Sequence, residues 1–288
     1  MSVIEVVQHH AAAVRDDPSG VANAASDADK LACMDGSNFF DSIVALDIRT
    51  GAVRWATRAL PYDTWNVNCI DLGGFPVAGE CPDPAGPDYD FGQGPSLFSV
   101  GKGNAARDLV GAGQKSGKYW TLDRDTGAVV WVTQAGPGGT MGGLQWGSAV
   151  DDSRIYVAVN NSGGEEWVLM DGTTTTWGAW SALDKETGQI LWQTETPDSL
   201  ELLGIPGLGS AIGAVTVANG VVYGCSFLGS RVAMDASTGE ILWTDPSTGE
   251  LCGAGAAVVR GTVYWGNGYG QIAFAPVFNG TLTAYGVQ

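Results

Sequence analysis

The sequence predicts an all-β protein, a β-propeller built of four-stranded blades, and three observations carry that expectation. One pattern, Asp-x-x-Thr-Gly-x-x-x-Trp, occurs four times. Each copy follows a short apolar stretch, so each reads as strand, turn, strand. Glycine numbers 43 of 288 residues, about twice its usual ~7% share, as many tight turns between short strands require.

The copies read Asp47-Ile-Arg-Thr50-Gly51-Ala-Val-Arg-Trp55, Asp123-Arg-Asp-Thr126-Gly127-Ala-Val-Val-Trp131, Asp184-Lys-Glu-Thr187-Gly188-Gln-Ile-Leu-Trp192 and Asp235-Ala-Ser-Thr238-Gly239-Glu-Ile-Leu-Trp243. An Asp before a tight turn accepts hydrogen bonds from backbone N–H groups two or three residues on, and Gly supplies φ > 0 without steric cost. The Trp then lies four residues into the returning strand. One hairpin cannot bury a Trp, but a neighbouring copy can, which is the logic of repeat architectures. Successive Trp residues are 76, 61 and 51 residues apart, more than the ~40–45 of simple propeller repeats, which leaves room for loops on one face. Blades around an axis suit this spacing. A β-sandwich would not explain identical hairpins, and the periods of a β-solenoid are shorter and stricter.

Composition narrows the function. Hydrophobic residues make up 44% of the chain and charged residues 16%, enough apolar material for one large core. The net charge of −17, with no Lys/Arg cluster, argues against a nucleic-acid partner. No apolar run approaches the ~20 residues that a membrane span needs. The five cysteines (33, 69, 81, 225 and 252) form no Cys-x-x-Cys pair, and with only His9 and His10 a zinc site is not expected. Cys69 and Cys81 bracket a Gly/Pro-rich loop, where a disulfide would reduce loop freedom in an oxidising compartment; the alternative is two free, partly buried thiols. The start, Met1-Ser-Val-Ile-Glu-Val-Val-Gln-His-His, lacks the pattern of a secretory signal.

In chain order, residues 1–36 carry no repeat and are Ala/Asp/Ser-rich. They are expected to form a loosely ordered leader with one short helix and a turn at 16–20. Residues 37–288 are expected to form the blades. Strands are expected at 42–46, 52–57, 109–112, 118–122, 154–160, 214–218, 221–225, 256–259, 262–266 and 281–285, from β-branched or alternating apolar residues between turn signals. The loop from Leu60 to about Pro95 is long enough, and aromatic enough, to be functional. A glycine-rich approach, 138–147, leads to the strand after it.

The repeated Ala-x-Asp-x-x-Thr-Gly-x-x-x-Trp resembles the tryptophan docking motif of quinoprotein propellers. Gln114-Lys115-Ser116-Gly117-Lys118-Tyr119-Trp120 resembles the stretch that these alcohol dehydrogenases place beside pyrroloquinoline quinone (PQQ). Together with Phe39-Phe40-Asp41-Ser42-Ile43, Tyr62-Asp63-Thr64-Trp65-Asn66 and Gly86-Pro87-Asp88-Tyr89-Asp90-Phe91-Gly92, these stretches resemble the polyvinyl-alcohol-dehydrogenase-like branch over about residues 37–286. The resemblance implies a quinoprotein-type β-propeller and hydride transfer from an alcohol carbon to an ortho-quinone. A carboxylate would take the hydroxyl proton and Ca²⁺ would polarise the quinone.

Carried over position by position, Asp90 in Tyr89-Asp90-Phe91 matches the catalytic base, 25 residues before Lys115, and Asp63 is the second candidate. A competing match sets Trp65-Asn66 on the same motif, where Asn could not act as a base. Lys115 matches the basic residue that touches the quinone oxygens, and Gln145 and Trp146 match a pore-facing pair near the cofactor; Trp65 is a further cofactor-facing candidate. The structural alternatives are a turn-capping Asp, a solvated turn lysine and a blade-packing Trp.

The family's quinone-floor Trp, vicinal cysteine pair and Ca²⁺-binding Glu and Asn precede the region that matches residue 37. The chain is therefore expected to be the C-terminal part of a longer propeller, an incomplete ring of about 4–5 blades, without the Ca²⁺ ligands and with little quinone affinity of its own. The resemblance further implies a small or polymeric alcohol as substrate, a cytochrome as electron acceptor, and an extracellular or periplasmic location. The alternative is a non-catalytic propeller that binds a protein partner, like outer-membrane assembly scaffolds sharing this repeat.

Overall fold

In each copy of the motif the Asp carboxylate closes the turn. In this computed structural model, which describes residues 2–7, 25–34, 38–69, 81–161, 163–197, 210–246, 251–268 and 280–286, Asp47 Oδ1 accepts hydrogen bonds from the N–H groups of Arg49 and Thr50 and from the Thr50 hydroxyl. Asp123, Asp184 and Asp235 repeat these contacts at their own turns. The four glycines stand at φ between 72° and 78°, the left-handed region. A register shift before each turn then sets the Trp opposite a small residue: Ala45, Thr121, Ala182 or Ala233.

Five antiparallel sheets form the blades, and the first four carry these hairpins. The first contains β1 (Ser2–Val7), β2 (Ser42–Asp47) and β3 (Val53–Arg58). The second contains β4 (Ser96–Val100), β5 (Arg107–Gly113), β6 (Lys118–Asp123) and β7 (Val129–Gln134). The third contains β8 (Ala149–Val150) and β9 (Arg154–Val159); a small hairpin, β10 (Trp167–Val168) and β11 (Thr174–Thr175), follows, before β12 (Ala179–Asp184) and β13 (Ile190–Glu195) complete the sheet. The fourth contains β14 (Thr216–Ala218), β15 (Val221–Cys225), β16 (Arg231–Asp235) and β17 (Ile241–Asp245). The fifth contains β18 (Ala257–Val259), β19 (Thr262–Asn267) and β20 (Thr281–Gly286).

Consecutive sheets are joined by docking. The Trp55 ring lies against Gly127 of the next blade, so closely that a Cβ on that glycine would come within 2.6 Å of the indole. Trp131 covers Gly188 and Trp192 covers Gly239 in the same way, at 2.5 and 2.6 Å. Two residues after each Trp, Thr57, Thr133 and Thr194 donate to the carbonyl of that same glycine, at 2.6–2.7 Å. Inside these contacts the facing sheets share hydrophobic clusters. Ile43, Val110 and Leu122 join the first two blades, Leu109, Tyr119 and Ile155 the next two, and Tyr156, Trp180, Val222 and Met234 the third and fourth. The fourth and fifth meet through Cys225, Cys252 and Trp265. Among the described residues the first and fifth sheets share no such cluster, so the blades form an open series.

The expected strands are present, most of them longer or shorter by a residue or two. Residues 1–36, expected as a leader, contain the short helix Asp27–Ala32, and also β1, whose β-branched Val-Ile-Glu-Val-Val run pairs with β2 along its whole length. The turn expected at 16–20 lies outside the described residues. Cys69 and Cys81 form a disulfide, the bonded one of the two states open to them. Cys225 and Cys252 form a second, which the sequence reading does not anticipate, since their partnership depends on how blade four meets blade five.

The docking geometry separates two glycines with the same backbone. Gly188→Ala adds a Cβ at φ 75° in contact with Trp131, and should cost about 2–4 kcal/mol, left-handed strain plus overpacking. Gly51→Ala, at φ 72° with nothing within 4 Å, should cost only the strain, about 1–2 kcal/mol. Urea unfolding of the two variants measures the difference.

Candidate active site

The strand registers bring distant loops to one end of the blades. Ser42 pairs with Arg58, Gly113 with Tyr119, and Lys118 with Gln134. The segment before β2, the loop after β3, the β5–β6 turn and the segment after β7 therefore share one pole. The four Asp-Thr-Gly turns occupy the other. A single antiparallel rule thus sends Asp41, residues 59–69 and 81–95, Gln114–Gly117 and residues 135–148 to the same place.

Asp63 braces the long loop. It is buried, and its two carboxylate oxygens accept from the N–H groups of Trp65 and Tyr89, at 3.1 and 2.9 Å. Gly86, at φ 90°, packs against it so closely that a Cβ would clash with the Asp63 backbone and carboxylate. Thr64 N–H donates to the Ala85 carbonyl, and the Cys69–Cys81 disulfide closes the same loop further out. The result is a fixed Asp88-Tyr89-Asp90 stretch, with the two outer side chains facing one neighbour.

That neighbour is Lys115. Its ammonium donates to Asp88 Oδ1 at 2.9 Å and to Asp90 Oδ2 at 3.0 Å, while its backbone N–H donates to the Asp90 carbonyl at 2.9 Å. The turn holding Lys115 is itself locked: Gln114 Oε1 accepts from the Ser116 hydroxyl and from the Trp120 indole. The glycine-rich segment lies against it, with Gly139 N–H donating to the Lys115 carbonyl and Leu144 N–H to that of Gln114. Gln145 bridges to Gly92, and Trp146 N–H donates to the Gly92 carbonyl. Trp146 takes φ 68° and remains 40% exposed.

The structure therefore brings all six sequence candidates into one region, by different routes. Asp90 and Lys115 meet directly. Asp63 joins through the Tyr89 backbone, Trp65 through Asp63, and Gln145 and Trp146 through Gly92. Two members were not singled out in sequence. Asp88 had only one signal, its place two residues before Asp90; it reaches Lys115 through a left-handed backbone turn at φ 60° that residue type does not announce. Asp41 had none: it reaches the cluster because a non-glycine residue turns at φ 44° just before β2.

Four carboxyls cluster here, and two of them, Asp88 and Asp90, hold the Lys115 amine. Burial, then Asp63 and Asp90, push the Asp41 carboxyl up to about 8. Burial also raises Asp88, to about 7, against the pull of Lys115. Burial works against the Lys115 charge, but Asp90 and Asp88 outweigh it and hold the amine above its ordinary value. Lys115 thus stays a cation, while burial lifts Asp41 and Asp88 well above the usual carboxylate range, Asp88 despite its contact with the ammonium.

Lys115 offers a quinone oxygen a charged donor, which fits a quinone cofactor at this pole. For a metal the fit is not there: among the described residues no group of three or more His, Cys, Asp or Glu is arranged to hold an ion.

Radial antiparallel blades docked Trp-to-Gly, with an Asp–Lys site at the loop pole, define a propeller of the quinoprotein type. A family model, PQQ_2, described as "Outer membrane protein assembly factor BamB", matches residues 115–284, more than half of the chain, and the chain belongs to that family. The polyvinylalcohol dehydrogenase of Sphingopyxis sp. (strain 113P3) is 31% identical over 246 residues, covering 80% of this chain and 36% of that protein. The polyvinylalcohol dehydrogenase of a Pseudomonas sp is 28% identical over 252 residues, with the same two shares. A crystal structure of quinohemoprotein alcohol dehydrogenase from Comamonas testosteroni aligns with a TM-score of 0.53 at 19% identity, over 79% of this chain and 38% of that one, a likeness of fold. The chain thus spans little more than a third of the length of the curated relatives it matches.

The raised acids set a direction for stability against pH. Between 3.8 and about 8 the folded chain holds the Asp41 proton that the unfolded chain has released, so stability falls as pH rises through that window. Asp88 adds to the fall up to about 7. Thermal melts from pH 4 to 8 should show this loss, and Asp41→Asn should flatten it; an unchanged slope would contradict the assignment.

Proposed function

We propose that this chain belongs to a quinoprotein-type oxidoreductase that oxidises an alcohol, small or polymeric, as the names of its relatives suggest. The observation that supports this most is the Asp90–Lys115 pair at the loop pole of a propeller of this family. An alcohol is a poor hydride donor until it loses its hydroxyl proton, so the reaction needs a base beside the acceptor. Asp90 is that base: one of its oxygens is held by Lys115, which keeps the carboxylate oriented, and its side chain is 15% exposed, open enough for substrate. PQQ, when bound, accepts the hydride. Lys115 would hold its quinone oxygens by donating to them, with Gln145, Trp146 and Trp65 as the further residues that would hold the ring. Asp63 serves the base by fixing the loop rather than by taking the proton, because both its oxygens are engaged by backbone N–H groups.

The electron acceptor in this reading is a cytochrome, and the compartment is extracytoplasmic. Two disulfides support the latter, since they persist where the surroundings are oxidising. A second reading, a non-catalytic scaffold that binds protein, is favoured by the description of the matching family model. It offers no use for a buried cluster of four carboxyls around one lysine.

The test is dye-linked alcohol oxidation by the full reading frame that contains this chain, with PQQ and Ca²⁺ supplied. Asp90→Asn should lower kcat by about 10²–10⁴, with the melting temperature little changed. Wild-type protein that binds PQQ but oxidises neither short alcohols nor polyvinyl alcohol would remove the proposal in favour of the scaffold.

A further inference from the structure

Asp41 is fully buried, and among the described residues no N–H or O–H donor reaches either of its carboxylate oxygens. Its backbone carbonyl is satisfied by Ala59 N–H at 2.9 Å, so the mismatch belongs to the side chain alone. The groups facing that side chain are themselves acids: Asp63, Asp88 and Asp90 from the long loop, with Asp90 near enough to share a hydrogen bond. Lys115 spends its ammonium on Asp88 and Asp90. Arg58, from β3, lies over the Phe40 ring and donates to the Asn38 carbonyl.

An ionised carboxylate without one donor, walled in by other acids, would cost several kcal/mol. Two acceptors in contact make a hydrogen bond only if one of them carries a proton. Asp90 already has a cation on one oxygen to stabilise its charge, whereas Asp41 has none. The proton therefore belongs on Asp41, and the bond runs from Asp41 to Asp90. The strained φ of 44° has the same sense: Asp is among the few side chains that tolerate the left-handed region, and the turn points this carboxyl inward.

We propose that Asp41 is a neutral carboxylic acid in the folded protein, and that it is a positioning residue which donates its proton to Asp90, clamping that carboxylate between an acid and Lys115. This rests on the reading of Asp90 as the base only for its catalytic consequence. In the step itself the alcohol O–H bond breaks and an Asp90 O–H bond forms. The electron pair left on the substrate oxygen would close the carbonyl as the C–H hydride departs, which a bound quinone would accept. Asp41 keeps its own proton throughout and prevents Asp90 from taking one early.

Asp-selective ¹³Cγ labelling of the chain, followed by NMR across pH 4 to 9, reads the state of Asp41 directly. Two buried carboxyls, Asp41 and Asp88, should keep protonated shifts past pH 6, and the resonance with the higher midpoint, that of Asp41, should vanish in Asp41→Asn, which tolerates the left-handed turn. If every Asp has ionised by pH 6, or if the resonance persists in the variant, the proposal fails; neither result depends on activity or on a soluble variant alone, because the wild-type titration stands by itself. The pH profile of kcat/KM tests the positioning role. Asn is a weaker donor than a carboxylic acid, so the acid limb should move to higher pH, by up to about one unit. A downward shift would mean that a negative charge had been removed, and no shift would mean no coupling; either overturns the clamp. Full activity in Asp90→Asn, with the Asp41 resonance behaving as expected, would instead sink the base assignment and leave the neutral acid standing.

Discussion

The contact on which the rest of the structure depends is an indole lying flat on a glycine peptide one blade ahead. It happens three times with the same geometry, Trp55 on Gly127, Trp131 on Gly188 and Trp192 on Gly239. Each time a Thr two residues along the Trp strand also bonds the carbonyl of the covered glycine. The two contacts fix both spacing and rotation between neighbouring sheets, as a single apolar contact could not. Because the docking turns all lie at one pole, loops at the other pole are relieved of holding blades together. They can be long, polar and strained, which is the usual division of labour between scaffold and site.

The site shows what that freedom allows. Placing Asp41, Asp63, Asp88 and Asp90 around one lysine would be untenable in a loop that had to form its own core. Here Asp63 is neutralised structurally by two backbone N–H groups, Asp88 and Asp90 share Lys115, and Asp41 is left to burial. Each carboxyl therefore has a different environment although the four are neighbours. Such separation of like groups is how one pocket comes to hold a base and an acid at the same pH.

The blades were legible because their signal is local: an Asp, a Gly and a Trp at fixed offsets specify a turn, a bulge and a docking partner without long-range knowledge. The Asp90–Lys115 pair was legible for another reason, the match to a known motif, and the structure brings the two within 3.0 Å. Asp41 escaped because its position is set by the β2–β3 register and a backbone angle, neither of which leaves a mark on residue type. The Cys225–Cys252 bridge escaped likewise, as it spans two blades. The strand β1 was hidden by its surroundings: six β-branched and polar residues ahead of an Ala/Asp/Ser-rich stretch do not reveal that β2 will offer them an edge.

The fourth copy shows that the docking rule is written in side chains rather than in position alone. Trp243 is 40% exposed, where Trp192 is 7%. The residue two places on is changed to match. Thr57, Thr133 and Thr194 are donors to a glycine carbonyl, but the fourth position holds Asp245, which can only accept. It does so from Arg231, at 2.9 Å, and from the Tyr285 hydroxyl. Tyr285 then meets the Trp243 ring edge to face, with centroids 5.0 Å apart, and both rings line a cavity of about 670 Å³. Had position 245 kept its Thr, the Arg231 guanidinium, itself 2% exposed, would face blade five without a carboxylate. The Trp-and-Thr pair and the Trp-and-Asp pair are thus two solutions to one problem, how to close the gap beside an outgoing strand. Blades one to three meet a glycine carbonyl with their Thr, and blade four meets Arg231 and Tyr285 with its Asp.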